Sequence, residues 1–293
     1  MRVIGAVRRR LAQDVFALVA GEDGEGTRQR IHGTPGPRWF PPDAPIRRVH
    51  GDTSMYVGGL RALLLQSLHP LAMAAVADHS GYQSDPWGRL ARTSTFIAQT
   101  TFGTEEESER AIARVRTVHD HITGTAPDGR SYRADDPHLL SWVHVAEVDS
   151  FLRAHQRYGR QPLTAAEADT YVAQTATVAR KLGAVDVPGT RAELDADLER
   201  FRPELEGTAE AREVARFLLR DTPLSRRARL PYALVSAAAV GLLPAWARVP
   251  LGLPHQPVAE RTVVPLGGRC AVGGLRWLVA AEPVPTADDV ATS

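Results

Sequence analysis

Thr104-Glu-Glu-Glu-Ser-Glu-Arg-Ala-Ile-Ala-Arg-Val-Arg-Thr-Val-His-Asp-His-Ile122 reads as one amphipathic helix. Thr104 and Glu107 have the capping-box spacing, in which the Thr oxygen accepts a backbone N–H and the Glu reaches back to another. Three consecutive glutamates then sit where the helix dipole favours negative charge. At about 100° per residue, Ala111, Ile112, Val115, Val118 and Ile122 fall in one arc, and His119 lies inside it. A histidine in an apolar stripe needs a partner for its ring nitrogens, because burying them unpaired is costly. That partner is either an ordinary core acceptor or a metal.

The same punctuation repeats on both sides of this stretch. Thr164-Ala-Ala-Glu167 and Thr190-Arg-Ala-Glu193 are further capping boxes, while Asp85-Pro86 and Asp136-Pro137 offer a capping carboxylate followed by proline at the first helical position. Gly103 and Gly183 stand where helices should stop. These signals predict helices over 54–68, 70–79, 86–101, 105–122, 137–158, 165–182, 191–200 and 209–220, with a further pair across 230–248. Strand alternation is nearly absent between 53 and 220, and nothing repeats at a fixed period. The expected architecture is all-α with one helical domain over 51–254, preceded by an N-terminal helix and extended Gly/Pro-rich lead-in over 1–50. Residues 255–293 read as a tail that adds a helix or a short strand, its last ten residues disordered.

Composition narrows the function classes. The 293 residues are 43% hydrophobic and 24% charged, with net charge +1 from 35 basic and 34 acidic side chains, so an ordinary globular chain is expected. The positive charge is nearly all arginine and alternates with acid, which argues against a nucleic-acid partner. Cys270 is the single cysteine, which excludes an internal disulfide, a Cys-rich zinc site and covalent haem attachment, and agrees with a reducing compartment. The start of the chain lacks a clean secretory signal, and a cytoplasmic location is expected. Leu230 to Ala247 is the longest uncharged run, but Pro231, Gly241 and Pro244 break it into two buried or interfacial segments. Together with Arg8, Arg9 and Arg10 it leaves peripheral membrane contact open.

Three clusters can carry chemistry. The first is His119. The second is Arg89, Arg92, Thr93 and Phe96, which share a helical face and suit either an anion or solvent, with Asp85 or the 105–107 glutamates as partners. The third is His144-x-x-Glu147 on the stripe Leu140, Val143, His144, Glu147, Val148, Phe151. That pair reads as a structural hydrogen bond, as a pair orienting a ligand, or as part of a metal site. Glu-x-x-His does not occur, which weakens a carboxylate-bridged di-iron bundle. Dinucleotide, Walker, zincin and nucleophile-elbow motifs are missing as well. The remaining histidines fall on expected loops and helix starts (His32, His50, His138, His255) or on polar faces (His121, His155), where solvent is the default; His69 precedes a proline and has no assigned role.

Taken in order, Arg48-Val-His-Gly-Asp, Gly58-Gly-Leu-Arg-Ala-Leu-Leu-Leu-Gln, His69-Pro-Leu-Ala and Asp78-His-Ser lead into Asp85-Pro-Trp-Gly-Arg-Leu-Ala-Arg-Thr93. Thr101-Phe-Gly103, Arg114-Val-Arg-Thr-Val-His119 and Asp136-Pro-His-Leu-Leu-Ser-Trp-Val-His144 follow. This series resembles the mpaB-type oxygenases, distant relatives of the latex-clearing rubber oxygenases, over roughly residues 38–253. The resemblance implies a globin-like helical core around haem b, with His119 as the proximal iron ligand in the Val-Arg-x-x-His pattern. It also implies that Arg89, Arg92 and Thr93 lie over the haem. Arg92 stands where those relatives have a lysine, and a guanidinium stays protonated, so this position is expected to hydrogen-bond a propionate, oxygen or substrate instead of ligating iron. His144 is expected near the cofactor. The implied partners are O2 and a small or lipophilic organic substrate. A non-catalytic haem carrier or sensor, and a helical membrane-peripheral scaffold, stand as alternatives.

Overall fold

The structure, a computed structural model, describes residues 23–279 apart from 80, 82 and 83, with only the backbone of residue 227. The basic run at 8–10 and the last ten residues therefore lie outside the described residues. Among the described residues there are fourteen α-helices and one two-stranded hairpin. They are α1 (Gly24–Gly33), α2 (Pro45–His50), α3 (Met55–Gln66), α4 (Pro70–His79), α5 (Pro86–Phe102), α6 (Glu105–His119), β1 (Thr123–Thr125) and β2 (Ser131–Arg133). Next come α7 (Pro137–Tyr158), α8 (Ala165–Leu182), α9 (Arg191–Phe201), a 3-10 turn (Arg202–Glu204), α10 (Ala209–Arg216) and a π-helical turn (Phe217–Asp221). α11 (Arg226–Leu242), α12 (Ala245–Arg248), α13 (Pro257–Arg261) and α14 (Val263–Val279) complete the order.

The local signals act as read. Thr104, Thr164 and Thr190 each close a full capping box with Glu107, Glu167 and Glu193. Asp85 accepts from Gly88 N, and Asp136 accepts from His138 N and Leu139 N. Gly183 ends α8 in the left-handed region at φ 109°, where glycine avoids the Cβ clash.

The lead-in corrects the reading. Residues expected to be extended include two helices, α1 and α2. α1 has no side-chain cap at its start; its free carbonyls are collected from downstream by Arg38, which donates to Ile31 O at 2.9 Å, His32 O at 3.2 Å and Thr34 O at 2.9 Å. The same guanidinium also holds Phe102 O at the end of α5. The hairpin departs from a purely helical plan: Thr123 pairs with Arg133 and Thr125 with Ser131, turning through Asp128-Gly129.

α7 is the central element. Fourteen of its 22 residues are buried, and it packs most extensively on α3. Gly58 permits that approach, since a Cβ there would lie 2.9 Å from the Phe151 ring and 3.1 Å from its Cα. Across the same interface the guanidinium of Arg61 meets Asp149 at 2.7 Å, both essentially excluded from solvent. Arg61 also donates to Leu242 O at 2.9 Å and Ser150 Oγ at 2.6 Å. A buried ion pair of this kind offsets its desolvation only while all partners are present. The main core then extends through Trp142, Tyr171, Leu194 and Phe201.

The C-terminal segment forms α14, which lies along α11; the close spacing of Gly241 against Val264 and of Gly267 against Leu234 lets the helices meet. No single described helix is long and apolar enough to cross a membrane; α3 and α4 together have the composition, but they bend by 107° at their junction.

Candidate functional site

The two-residue link Gly103-Thr104 folds α6 back along α5, and Gln99 ties the pair by accepting from Ser108 Oγ at 3.0 Å and from Arg114 Nη2 at 3.2 Å. This hairpin brings the first turns of α5, with Arg89, to the same end as the last turn of α6, with His119. α6 also packs on α8, where Lys181 pairs with Glu109 at 2.5 Å. Neither α5 nor α6 packs closely on α7.

Residues of α5, α6 and α7 have unusual surroundings. α5 buries only Thr100 and Thr101, at its far end, although Trp87, Leu90, Phe96 and Ile97 are apolar and remain half-covered. His119 is half-buried, its ring makes no hydrogen bond among the described residues, and its pKa is lowered by desolvation against the opposing pull of Asp135 and Asp120. From α7, His144 has an Nε2 with no hydrogen-bond partner, and burial lowers its pKa to about 4. Glu147 keeps some accessible surface, yet desolvation raises its pKa to about 7. Both observations hold for a carboxyl largely screened from bulk water.

Near Glu147 lies a polar cluster around His50, a residue expected at a loop or helix start. His50 Nδ1 meets Thr101 Oγ1 at 2.8 Å, and its Nε2 meets the Tyr171 hydroxyl at 3.3 Å. Burial holds the His50 pKa down at about 3, and burial together with the Glu147 charge raises that of Tyr171 well above its usual value. His155, expected on a polar face, is 1% exposed. The reason is the position of α7: a helix covered on most sides has no solvent face for the amphipathic rule to find. His144 and Glu147 likewise do not form the structural hydrogen bond first considered for them, since desolvation is the sole cause of the Glu147 shift.

The other expected residues are distributed unevenly. Arg89 is half-buried, while Arg92 and Thr93 are exposed. Arg92 donates to Asp85 at 3.2 Å, so the solvated pairing open to this face is present for that residue. His69, which had no assigned role, is 2% exposed and converges with His138 and Glu204, their ligand atoms all within 4.8 Å of one another.

The structure can be tested for a haem fit on these observations. Imidazoles that desolvation holds towards the neutral form, at His119 and His144, and a half-covered apolar face on α5 are the donor type and lining that suit such a macrocycle. The residues fit.

Comparison with known proteins gives the same direction. The family profile described as "ER-bound oxygenase mpaB/B'/Rubber oxygenase, catalytic domain" matches residues 47–280. Two uncharacterized proteins, of Mycobacterium bovis and Mycobacterium tuberculosis, are each 37% identical over 95 residues, covering 31% of this chain and 36% of theirs. The match thus spans about a third of the length of those curated relatives. No solved structure matches. With four-fifths of its length inside the profile, the chain belongs to the mpaB and rubber-oxygenase catalytic-domain family.

Proposed function

We propose that this chain is a haem b-dependent oxidoreductase that uses O2 on a lipophilic organic substrate, with His119 as the iron ligand. The observation that carries the reading is the ring of His119 at the end of α6: half-buried, desolvated and without a hydrogen bond among the described residues. Membership in a family of oxygenase catalytic domains supports an enzymatic role.

The residues divide the work by charge and dryness. Neutral imidazole is the ligating form, and desolvation favours it at His119. Arg89 and Arg92, on α5, would neutralise the propionates, with Arg92 shared between that role and Asp85. Thr93, one turn beyond Arg89, offers a hydroxyl on the same face. When bound, haem supplies the oxygen chemistry. A carboxyl titrating near 7 can hold or give up a proton at neutral pH, so Glu147 is suited to acid–base work at its own oxygens. Trp87, Leu90, Phe96 and Ile97 keep water away and favour an apolar substrate.

The test is turnover. Haem-loaded protein is incubated with labelled O2 and a panel of lipophilic alkenes, and label in the products is followed. Incorporation that weakens in Glu147→Gln supports the reading. Full haem occupancy without turnover across the panel favours the carrier alternative.

A specific observation also favours membrane contact. Val263, Leu266, Cys270 and Trp277 recur at helical spacing along α14, and all four are exposed, with 68%, 59% and 52% exposure for Val263, Leu266 and Trp277. Arg261 and Arg269 are exposed beside them. Such a stripe suits the surface of an acidic bilayer. Flotation with acidic vesicles should fall in Leu266→Asp; equal recovery of both proteins contradicts this contact.

A further inference from the structure

We propose that His69, His138 and Glu204 bind a first-row transition-metal dication of the zinc type, at a site separate from the haem position assigned to His119. Three donors come from three elements: His69 immediately before α4, His138 in the first turn of α7, and Glu204 in the 3-10 turn after α9. Their convergence within 4.8 Å is a tertiary arrangement that no local rule produces.

His69 provides the independent observation. It is 2% exposed, and neither ring nitrogen has a hydrogen-bond partner among the described residues. Its Nε2 lies 3.5 Å from Glu204 Oε2 without satisfying hydrogen-bond geometry. An imidazole buried with both nitrogens unpaired is costly, and ligation relieves at least one of them. The rings are held in place by aromatic neighbours: His69 lies 6.3 Å from the Trp142 ring and His138 4.8 Å from the Phe201 ring.

The spacing suits a small dication. Bonds of about 2.0–2.2 Å at a tetrahedral ion put neighbouring ligand atoms roughly 3.3 Å apart. Here His138 Nε2 lies 2.8 and 3.0 Å from the two Glu204 oxygens, and His69 Nε2 lies 3.5 Å from one of them. Modest side-chain adjustment would bring all three to one ion. Two imidazoles and one carboxylate favour zinc and its neighbours over magnesium or calcium, which prefer oxygen. The opposing charge is Arg130, which interacts electrostatically with Glu204, Glu206 and His69. His138 and Glu204 are 49% and 40% exposed, so an ion has an entry path and room for a water as a further ligand.

The test uses the full chain without a polyhistidine tag, stripped with chelator and titrated with Zn2+ by calorimetry, both haem-free and haem-loaded. Mg2+ is the comparison ion. The expected result is one Zn2+ per chain with little Mg2+ binding. Affinity should fall about tenfold or more in His138→Ala and in Glu204→Gln, and persist in His119→Ala. The first two side chains are half-exposed, so folding is retained, and circular dichroism checks this. Zinc affinity unchanged in both variants, or no saturable binding by the wild type, overturns the proposal; loss of zinc binding in His119→Ala also overturns it, because the ion would then belong to the haem position.

Discussion

The α3–α7 pair and the α5–α6 hairpin differ in how completely they are covered. In the first, Gly58 lets Phe151 approach, and Arg61 pairs with Asp149 and donates to Ser150 out of water. In the second, Trp87, Leu90, Phe96 and Ile97 of α5 remain half-covered, and Val118 of α6 is 57% exposed. Both belong to the stretch that matches the oxygenase family. The difference teaches that the family pattern contains two kinds of information: a frame closed by its own side chains, and a face left for something else to cover.

The frame should be easiest to break. Asp149→Ala leaves the Arg61 guanidinium buried without its counter-ion, which costs about 3–5 kcal/mol. Urea denaturation of the haem-free protein measures it; a loss below about 1 kcal/mol, the range of exposed pairs, would erase the contrast between the two regions.

Glu147 sits between frame and face, and it gives the next largest effect. Its folded pKa of about 7 exceeds the ordinary 4.5, so the folded state holds the proton more tightly than the unfolded one. Stability from this group is therefore full below about pH 4.5 and declines as pH rises through 7, by about 3 kcal/mol in total. His144 and His50 act in the opposite sense: with folded values of about 4 and 3, they cost stability as pH falls below 6.5. Because these histidines oppose the carboxyl within the same window, the test is the difference between proteins: the stability of the wild type minus that of Glu147→Gln should fall by about 3 kcal/mol as pH rises from 4.5 to 7. A difference that is flat across that window would place the carboxyl in water.

The face should be tolerant. Arg92 and Asp85 are both well exposed, at 65% and 57%, so Arg92→Ala should change haem-free stability by no more than about 0.5 kcal/mol. The same variant should weaken retention of added haem, read as faster transfer to apomyoglobin. Equal transfer rates would remove Arg92 from the cofactor's surroundings.

What could be read from the sequence was what neighbours in sequence decide. Capping boxes, the Asp-Pro starts and the glycine stops depend on residues three or four apart, and they marked seven helix boundaries correctly. α1 escaped because Arg38, outside it, holds its carbonyls. The β hairpin carries a local signal in Pro127-Asp128-Gly129, a turn sequence between two runs too short to show strand alternation. His50 and His155 were misplaced because their burial comes from α8 and from the central position of α7. The His69, His138 and Glu204 cluster had no local signature, since its members lie 69 and 66 residues apart along the chain.

The account depends most on His119. The direct measurement is the absorption spectrum and iron content of the haem-reconstituted chain beside His119→Ala, with helicity checked by circular dichroism. The account predicts one haem per wild-type chain with a Soret band that is lost or strongly shifted in a variant still helical. A wild-type chain that takes up no haem, or a variant whose spectrum matches it, would contradict the assignment of His119 to iron.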